Sequence, residues 1–144
     1  MKNTLTGLAE RLEKKAKEIN NAASEASVKA ALSIVGELAY RTPVDTSNAL
    51  SGWQVSLINP TLGRIGPHFP GLNGSTYRQS ASETITIAKQ VLKNKKPGEI
   101  IYITNNEPYI RRLNDGYSGQ APAGFVERAV LIGRKSLASF KIKD

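Results

Sequence analysis

Apolar residues recur every three or four positions through residues 1–40, and this spacing predicts one long amphipathic helix. Large side chains form the first part of the apolar stripe, whereas alanines form most of it between residues 19 and 31. A continuous helix of this length would extend about 55 Å, which is more than a small domain requires. We therefore expect an interruption at Asn20-Asn21.

The first turns of this helix carry Leu5, Leu8 and Leu12 on one face. These leucines either pack on the protein's own domain or contact another subunit, and the sequence favours neither. The stripe from Ala30 to Leu38 is assigned to the domain core. The polar face carries both signs of charge, which disfavours a membrane-surface helix, because such helices have a basic polar face.

The segment after this helix predicts a turn. The helix should end before Pro43, because a residue that precedes proline is disfavoured in the α region. Asp45, or one of the two hydroxyl residues after it, is then expected to cap a short turn that ends near Leu50. No second carboxylate or base lies near Asp45 in the sequence, so capping is favoured over a catalytic role.

Two short segments have the composition of β-strands. In residues 52–58, Trp53 and two further apolar residues alternate with polar ones, which predicts a strand with one buried face and Trp53 as a core anchor. Residues 100–104, which include Tyr102 as a structural residue, are apolar or aromatic on both faces and predict a covered strand. We expect the two strands to pair in an antiparallel sheet.

Residues 59–79 contain three prolines and four glycines and predict an extended irregular loop. Arg64 and Arg78, together with His68 and two aromatic residues, make this loop both basic and aromatic. Such a surface could bind single-stranded nucleic acid, and it could equally become ordered against a neighbouring subunit. His68 is interpreted as an ordinary loop residue.

Two further helices of ordinary length are predicted. The spacing of Ser80 and Glu83 is that of a capping box, which predicts a middle helix from Ser80 to about Lys93. Pro122 is expected to begin a last helix that ends near Phe140, because proline is favoured in a first turn. These helices should pack on the sheet.

A compact helical turn between them carries two adjacent arginines. Glu107 and Arg111 are four residues apart in the favourable order and predict an ion pair within this turn. Arg112 lies about 100° further round without an evident partner on the same turn, which makes it a candidate for an intersubunit contact. Tyr109 is expected to face inward with Leu113.

Gly116 is expected to end this turn. The elements together predict one α+β domain over residues 1–144, with a long N-terminal helix, a small antiparallel sheet, and middle and C-terminal helices packed on it.

Composition narrows the possible functions. The 144-residue chain has a net charge of +8 but no run of five basic residues, so its charge does not specify a nucleic-acid site. It has no cysteine and one histidine, which excludes thiol catalysis and makes a zinc site improbable. No phosphate loop or nucleophile motif occurs, so we expect no enzyme and no cofactor. The first residues lack the apolar run of a signal peptide, and no segment predicts a membrane span.

Three segments carry a family resemblance: RTPVDTS after the long helix, SGW at the first strand, and IYITNNEPYIRRLNDGYSGQAPAGFV near the C-terminus. In this order they resemble the tail-completion or neck proteins of tailed bacteriophages, of the lambdoid tail-component type. The match covers about residues 40–130 and is weak in the 59–79 loop. The chain departs from the family pattern at Ser47, at Ile110 and at Asn114-Asp115.

The resemblance implies a structural virion protein at the head–tail junction, made in the host cytoplasm and incorporated into the neck. Such proteins form a ring, commonly six-fold, around the channel that DNA crosses. The implied partners are further copies of the chain, the connector or adaptor, and the tail-tube or tail-terminator protein. DNA would only pass through, and no membrane is involved. The alternative is a nucleic-acid-binding accessory protein that uses the 59–79 loop and the basic C-terminal tail.

Overall fold

A computed structural model describes residues 4–116 and 123–141 of the chain. The α+β fold expected from the sequence is confirmed, with helices predominating. In chain order the elements are α1 (Thr4–Arg41), α2 (Asn48–Ser51), β1 (Trp53–Ser56), α3 (Tyr77–Leu92), β2 (Tyr102–Asn105), α4 (Ile110–Asn114) and α5 (Phe125–Ala138).

Helix α1 is continuous over 38 residues, so the interruption expected at Asn20-Asn21 is wrong. Asparagine within a helix costs only about 0.7 kcal/mol relative to alanine, less than is lost when a cooperative helix is broken. The helix is about 57 Å long at 1.5 Å per residue. Its buried residues all lie in the second half and contact the rest of the domain: Ala30, Ala31, Val35, Leu38 and Ala39.

Strands β1 and β2 form a two-stranded antiparallel sheet, as the sequence predicted. The register pairs Trp53 with Asn105 and Ser56 with Tyr102. β1 alternates buried and half-buried residues, whereas all four residues of β2 are half-buried. The expectation that β2 is covered on both sides is therefore wrong, because only one strand and part of the helical layer pack on it.

Three apolar clusters form the core, and α1 contributes to each of them. The first joins α1 to β1 and α3 around Val35 and Leu92. The second joins α1 to β1 and α5 around Trp53 and Phe125. The third joins the end of α1 to α2 and α3 around Leu50. The C-terminal half of α1 thus packs against β1, α2, α3 and α5.

Trp53 is a core anchor, and its indole is held by a hydroxyl. The Trp53 Nε1–H donates to Thr42 Oγ1 over 2.8 Å, and that hydroxyl donates to the Leu38 carbonyl oxygen over 2.5 Å. Both hydrogen bonds are buried. Thr42 therefore closes the last turn of α1 and also connects it to β1.

Helix α3 begins at Tyr77, three residues before the predicted capping box, so that prediction is wrong. Ser80 lies inside the helix, fully buried, and its hydroxyl bonds the main chain of Phe69 instead of capping the helix. The Ser80 hydroxyl is used in this way because it gives hydrogen-bond partners to main-chain groups of a distant loop.

Helix α5 packs along α1 through the buried residues Phe125, Ala129 and Gly133. Leu137, four positions after Gly133, is 47% exposed. A Cβ atom on Gly133 would lie 2.4 Å from both Cδ1 and Cγ1 of Ile34. The absence of a side chain at Gly133 therefore allows α5 to approach α1 closely. Pro122, predicted to begin this helix, lies outside the described residues.

Replacing Gly133 tests this close approach. We expect Gly133→Ala to lower the free energy of unfolding by about 1–3 kcal/mol, because the added methyl group overpacks Ile34. The control is Gly36→Ala on α1, where an added Cβ meets no atom within 4 Å. That variant should gain about 0.5–1 kcal/mol from helix propensity. Equal stabilisation of both variants in chemical denaturation would contradict the packing argument.

The Thr42 hydroxyl offers a second stability test. Thr42→Val keeps the shape of the side chain but leaves the buried Trp53 N–H without an acceptor, and we expect a loss of about 1–3 kcal/mol. Thr42→Ser retains the hydroxyl and should lose less. Denaturation followed by the fluorescence of Trp53, the single tryptophan, measures the stability loss of both variants. Equal losses for Thr42→Val and Thr42→Ser would contradict the role of the hydroxyl.

Candidate interaction surface

Residues 105–107, at the end of β2, form hydrogen bonds with parts of the chain that are distant in the sequence. Asn105 Nδ2 donates to the Ala49 carbonyl oxygen over 2.8 Å, and Asn105 Oδ1 accepts the Glu107 N–H over 3.0 Å. A Cβ atom on Gly52 would lie 2.8 Å from Asn105 Oδ1, so a side chain there would displace the asparagine. We call Asn105, Asn106 and Glu107 the polar hub.

Asn106 attaches the first part of the irregular segment 57–76 to the sheet. Its Nδ2 donates to the carbonyl oxygens of Thr61 and Gly63 over 2.8 and 3.1 Å. The Gly63 carbonyl also accepts from Gln54 Nε2 over 2.9 Å, and the hydroxyls of Thr61 and Thr104 lie 2.5 Å apart. The segment is therefore tied to both strands instead of extending freely from them.

Glu107 forms an ion pair with Arg64, 43 residues earlier in the chain. The Glu107 carboxylate, 1% exposed, accepts from Arg64 Nη2 over 2.8 Å and from Arg64 Nε over 3.3 Å. The predicted Glu107–Arg111 ion pair is wrong, because α4 begins only at Ile110 and Glu107 lies outside it. Arg64 is half-exposed, but its guanidinium is already committed to this buried carboxylate.

The second part of the same segment is held by α2 and α3. The His68 N–H donates to Ser51 Oγ over 3.0 Å, and the Phe69 carbonyl oxygen accepts from Thr76 Oγ1. Burial lowers the pKa of His68 from its ordinary value, and the charge of Glu83 opposes this shift. The main chain of His68 is thus structural.

Asp45 holds the end of this segment. Its Oδ1 accepts the Asn73 N–H over 2.8 Å, and its carbonyl oxygen accepts the Gly74 N–H over 2.7 Å. The prediction that a side chain caps the following turn is wrong. Ser47 occupies the N-cap position of α2 with a φ of 67°, and its side chain makes no capping hydrogen bond. Asp45 is structural because it tethers a loop.

The two main segments of the resemblance meet in space. One wall of a cleft of about 160 Å³ is formed by Pro43, Asp45 and their neighbours, and the other by Tyr109 and Leu113. Asn48 Nδ2 donates to the Tyr109 hydroxyl over 2.9 Å. Tyr109 and Leu113 were both expected to pack inward. Leu113 does so, whereas Tyr109 is 39% exposed.

Asn114 joins α4 to the start of α5. Its Oδ1 accepts the Val126 N–H over 2.9 Å, and its Nδ2 donates to both Glu127 carboxylate oxygens over 2.9 Å. The bond from Asn114 lowers the pKa of Glu127. Gly116, with a φ of 89°, ends α4 as predicted, because a left-handed residue is favoured there.

The remaining candidate cations are dispersed. Arg78 lies on α3, exposed, and not in the loop to which it was assigned. Arg112 takes part in an interaction within the chain, and its role in an intersubunit contact stays a prediction. In the basic cluster at residues 93–96, Lys95 donates to Ser24 Oγ on α1 over 2.8 Å.

The largest uncovered apolar feature of α1 is what we call the leucine ridge: Leu5, Leu8 and Leu12, with exposed fractions of 77%, 45% and 61%. These residues occupy positions i, i+3 and i+7, so they lie along one side of the helix. Nothing within the described residues buries them.

The part of the chain that the structure describes has neither a set of metal ligands nor a buried side-chain polar atom without a partner. It contains no group of three or more His, Cys, Asp or Glu residues arranged to hold a metal ion. Each of its buried side-chain polar atoms has a hydrogen-bond partner, so none points unpaired at a ligand. No helix in residues 4–116 and 123–141 has the length and hydrophobicity of a membrane span.

Comparisons with protein-family models, with curated proteins and with solved structures give no match.

Sequence reasoning missed the polar hub and the role of Asn114. Their partners in other segments lie 12 to 56 residues away along the chain, beyond any local periodicity. The available signal was the run Asn105-Asn106-Glu107 directly after a strand, since such side chains can bond the main chain of neighbouring segments.

The Arg64–Glu107 ion pair yields a stability prediction. We expect Arg64→Ala to lower the free energy of unfolding by about 1–3 kcal/mol, because it leaves the buried carboxylate without its cation. Arg64→Lys should recover only part of this, since an ammonium group cannot form the same two-pronged contact. Arg78→Ala, an exposed arginine on α3, is the control and should change stability by less than about 0.5 kcal/mol. Similar losses for Arg64→Ala and Arg78→Ala would contradict the assignment.

Proposed function

We propose that this protein is a structural component of the head–tail junction of a tailed bacteriophage. In this role, copies of the chain form a ring, commonly six-fold, between the connector and the tail, and DNA passes through its centre. The protein is made in the host cytoplasm and remains in the virion neck. The chain has no catalytic part in this process and needs no cofactor.

The observation that carries the proposal is the resemblance of residues 41–47 and 101–126 to the neck-protein pattern. These two segments line opposite walls of one cleft, and the Asn48–Tyr109 hydrogen bond connects their immediate surroundings. The polar run Asn105–Glu107 inside the second segment ties α2 and the 57–76 segment to the sheet. The residues that define the resemblance thus have a common structural reason to occur together.

The shape of the chain is consistent with this role. Residues 4–29, about two thirds of α1, include no residue buried by the domain, and the leucine ridge at the start of the helix is exposed. A rigid helix that extends beyond its own core can reach a neighbouring subunit. Its polar face carries both signs of charge, which is typical of protein contacts and not of a surface selected for phosphate.

The alternative, a nucleic-acid-binding accessory protein, loses its main support. Its proposed surface combined Arg64 and Arg78 in one loop. Arg64 is paired with the buried Glu107, and Arg78 lies on α3. The end of the basic C-terminal tail lies outside the described residues and adds no observation in favour of this alternative.

A nonsense mutation in the encoding phage tests the proposal. We expect DNA-filled heads and separate tails to accumulate, because the neck that joins them is incomplete, and we expect wild-type protein supplied in trans to restore infectivity. Electron microscopy of the lysate measures this outcome, and cryo-EM of wild-type virions should place the chain as a ring in the neck. Joined, infectious particles that lack the chain would overturn the proposal.

A further inference from the structure

A second apolar surface with exposed side chains lies beside the second half of α1. A cleft of about 310 Å³ is lined mainly by aliphatic side chains of α1, of the segment that leads into β2, and of α5. Ile100 and Leu137 are 63% and 47% exposed there. We call this the isoleucine cleft; the lining residues used below are Ala30, Ile34, Glu99, Ile100 and Leu137.

The ridge and the cleft belong to one face of α1. Leu12 precedes Ala30 by 18 residues, about five helical turns, so both point in nearly the same direction. At Ala30 and Ile34 this face is covered by α5, which approaches through Gly133. Helix α5 has only 14 residues, so the part of the face that carries the ridge continues beyond it without cover.

The ridge cannot reach the cleft of its own chain. Leu8 and Ala30 lie 22 residues apart on one uninterrupted helix, a separation of about 33 Å. A rigid helix of this kind does not fold back on itself. The cleft of a second copy has no such restriction.

The chemistry of the two surfaces is complementary. Anchors at i, i+3 and i+7 are the pattern by which a helix docks in an apolar groove, and the ridge has this pattern. Arg11 follows Leu8 by three residues and therefore lies beside it, while Glu99 lines the cleft next to Ile100. Docking of Leu8 near Ile100 would bring a guanidinium group towards a carboxylate at the edge of an apolar contact.

We propose that the leucine ridge of one copy docks in the isoleucine cleft of the next copy. The contact is heterologous, because two different surfaces of the chain meet, and repeated heterologous contacts produce a closed ring or a filament. The inference deepens the proposed function, on whose ring it rests, by naming the contact between neighbouring subunits. The contact itself is tested on the purified chain without phage.

The experiment uses Leu8→Glu, Ile100→Glu and the control Arg78→Glu, with sedimentation measured over a range of protein concentrations. All three positions are exposed, so each variant should keep the circular dichroism of the wild type. We expect the wild type and Arg78→Glu to associate alike. Loss of one buried aliphatic side chain should weaken association roughly ten- to a hundredfold in each of the other two variants.

A mixture of the two defective variants distinguishes the proposed contact from other modes of pairing. The Leu8→Glu chain keeps an intact cleft and the Ile100→Glu chain keeps an intact ridge, so the mixture should form heterodimers but no larger species. Pairing of ridge with ridge would leave Ile100→Glu unaffected and would overturn the proposal. Absence of association at every concentration would also overturn it.

Covalent trapping provides an independent readout, because the chain has no cysteine of its own. Leu8→Cys mixed with Ile100→Cys should give a disulfide-linked heterodimer, whereas Leu8→Cys mixed with Arg78→Cys should not. Cross-linking in vitro together with joined particles in the nonsense mutant would overturn the neck function alone. A neck ring without this cross-link would overturn the contact alone.

Discussion

The packing of α5 against the second half of α1 determines most of this structure. Gly133 allows the two helices to approach closely, and the sheet, α2 and α3 then pack around the same half of α1. Because α5 is less than half as long as α1, the face it covers continues beyond it as the leucine ridge. The exposed ridge is thus a direct consequence of the unequal lengths of two packed helices.

The polar hub provides hydrogen-bond partners for an irregular segment of the chain. An irregular segment of about twenty residues would leave many main-chain groups without partners. The polar hub, at the end of β2, supplies these partners. Asn105 bonds α2, Asn106 bonds residues 61–63, and Glu107 pairs with Arg64. A single short motif can therefore position a long loop.

The sequence predicted those elements that depend on local periodicity. The long helix, the two strands with their antiparallel pairing, and the core position of Trp53 follow from spacing and alternation. Two of the errors share one cause, which is competition from distant partners. Ser80 bonds Phe69 instead of capping α3, and Glu107 pairs with Arg64 instead of Arg111. In the same way, the close approach of α5 at Gly133 depends on the position of α1, which no local pattern contains.

Hydrogen exchange of the main-chain amides tests most directly the claim that the free half of α1 is an interaction element. In dilute protein, residues 4–18 should exchange faster than residues 28–41, because only the latter half is packed on the domain. In concentrated or assembled protein, residues 4–18 and 99–103 should become protected together, while the tethered segment 57–76 stays unchanged. Protection confined to residues 57–76, with residues 4–18 unaffected, would contradict the account.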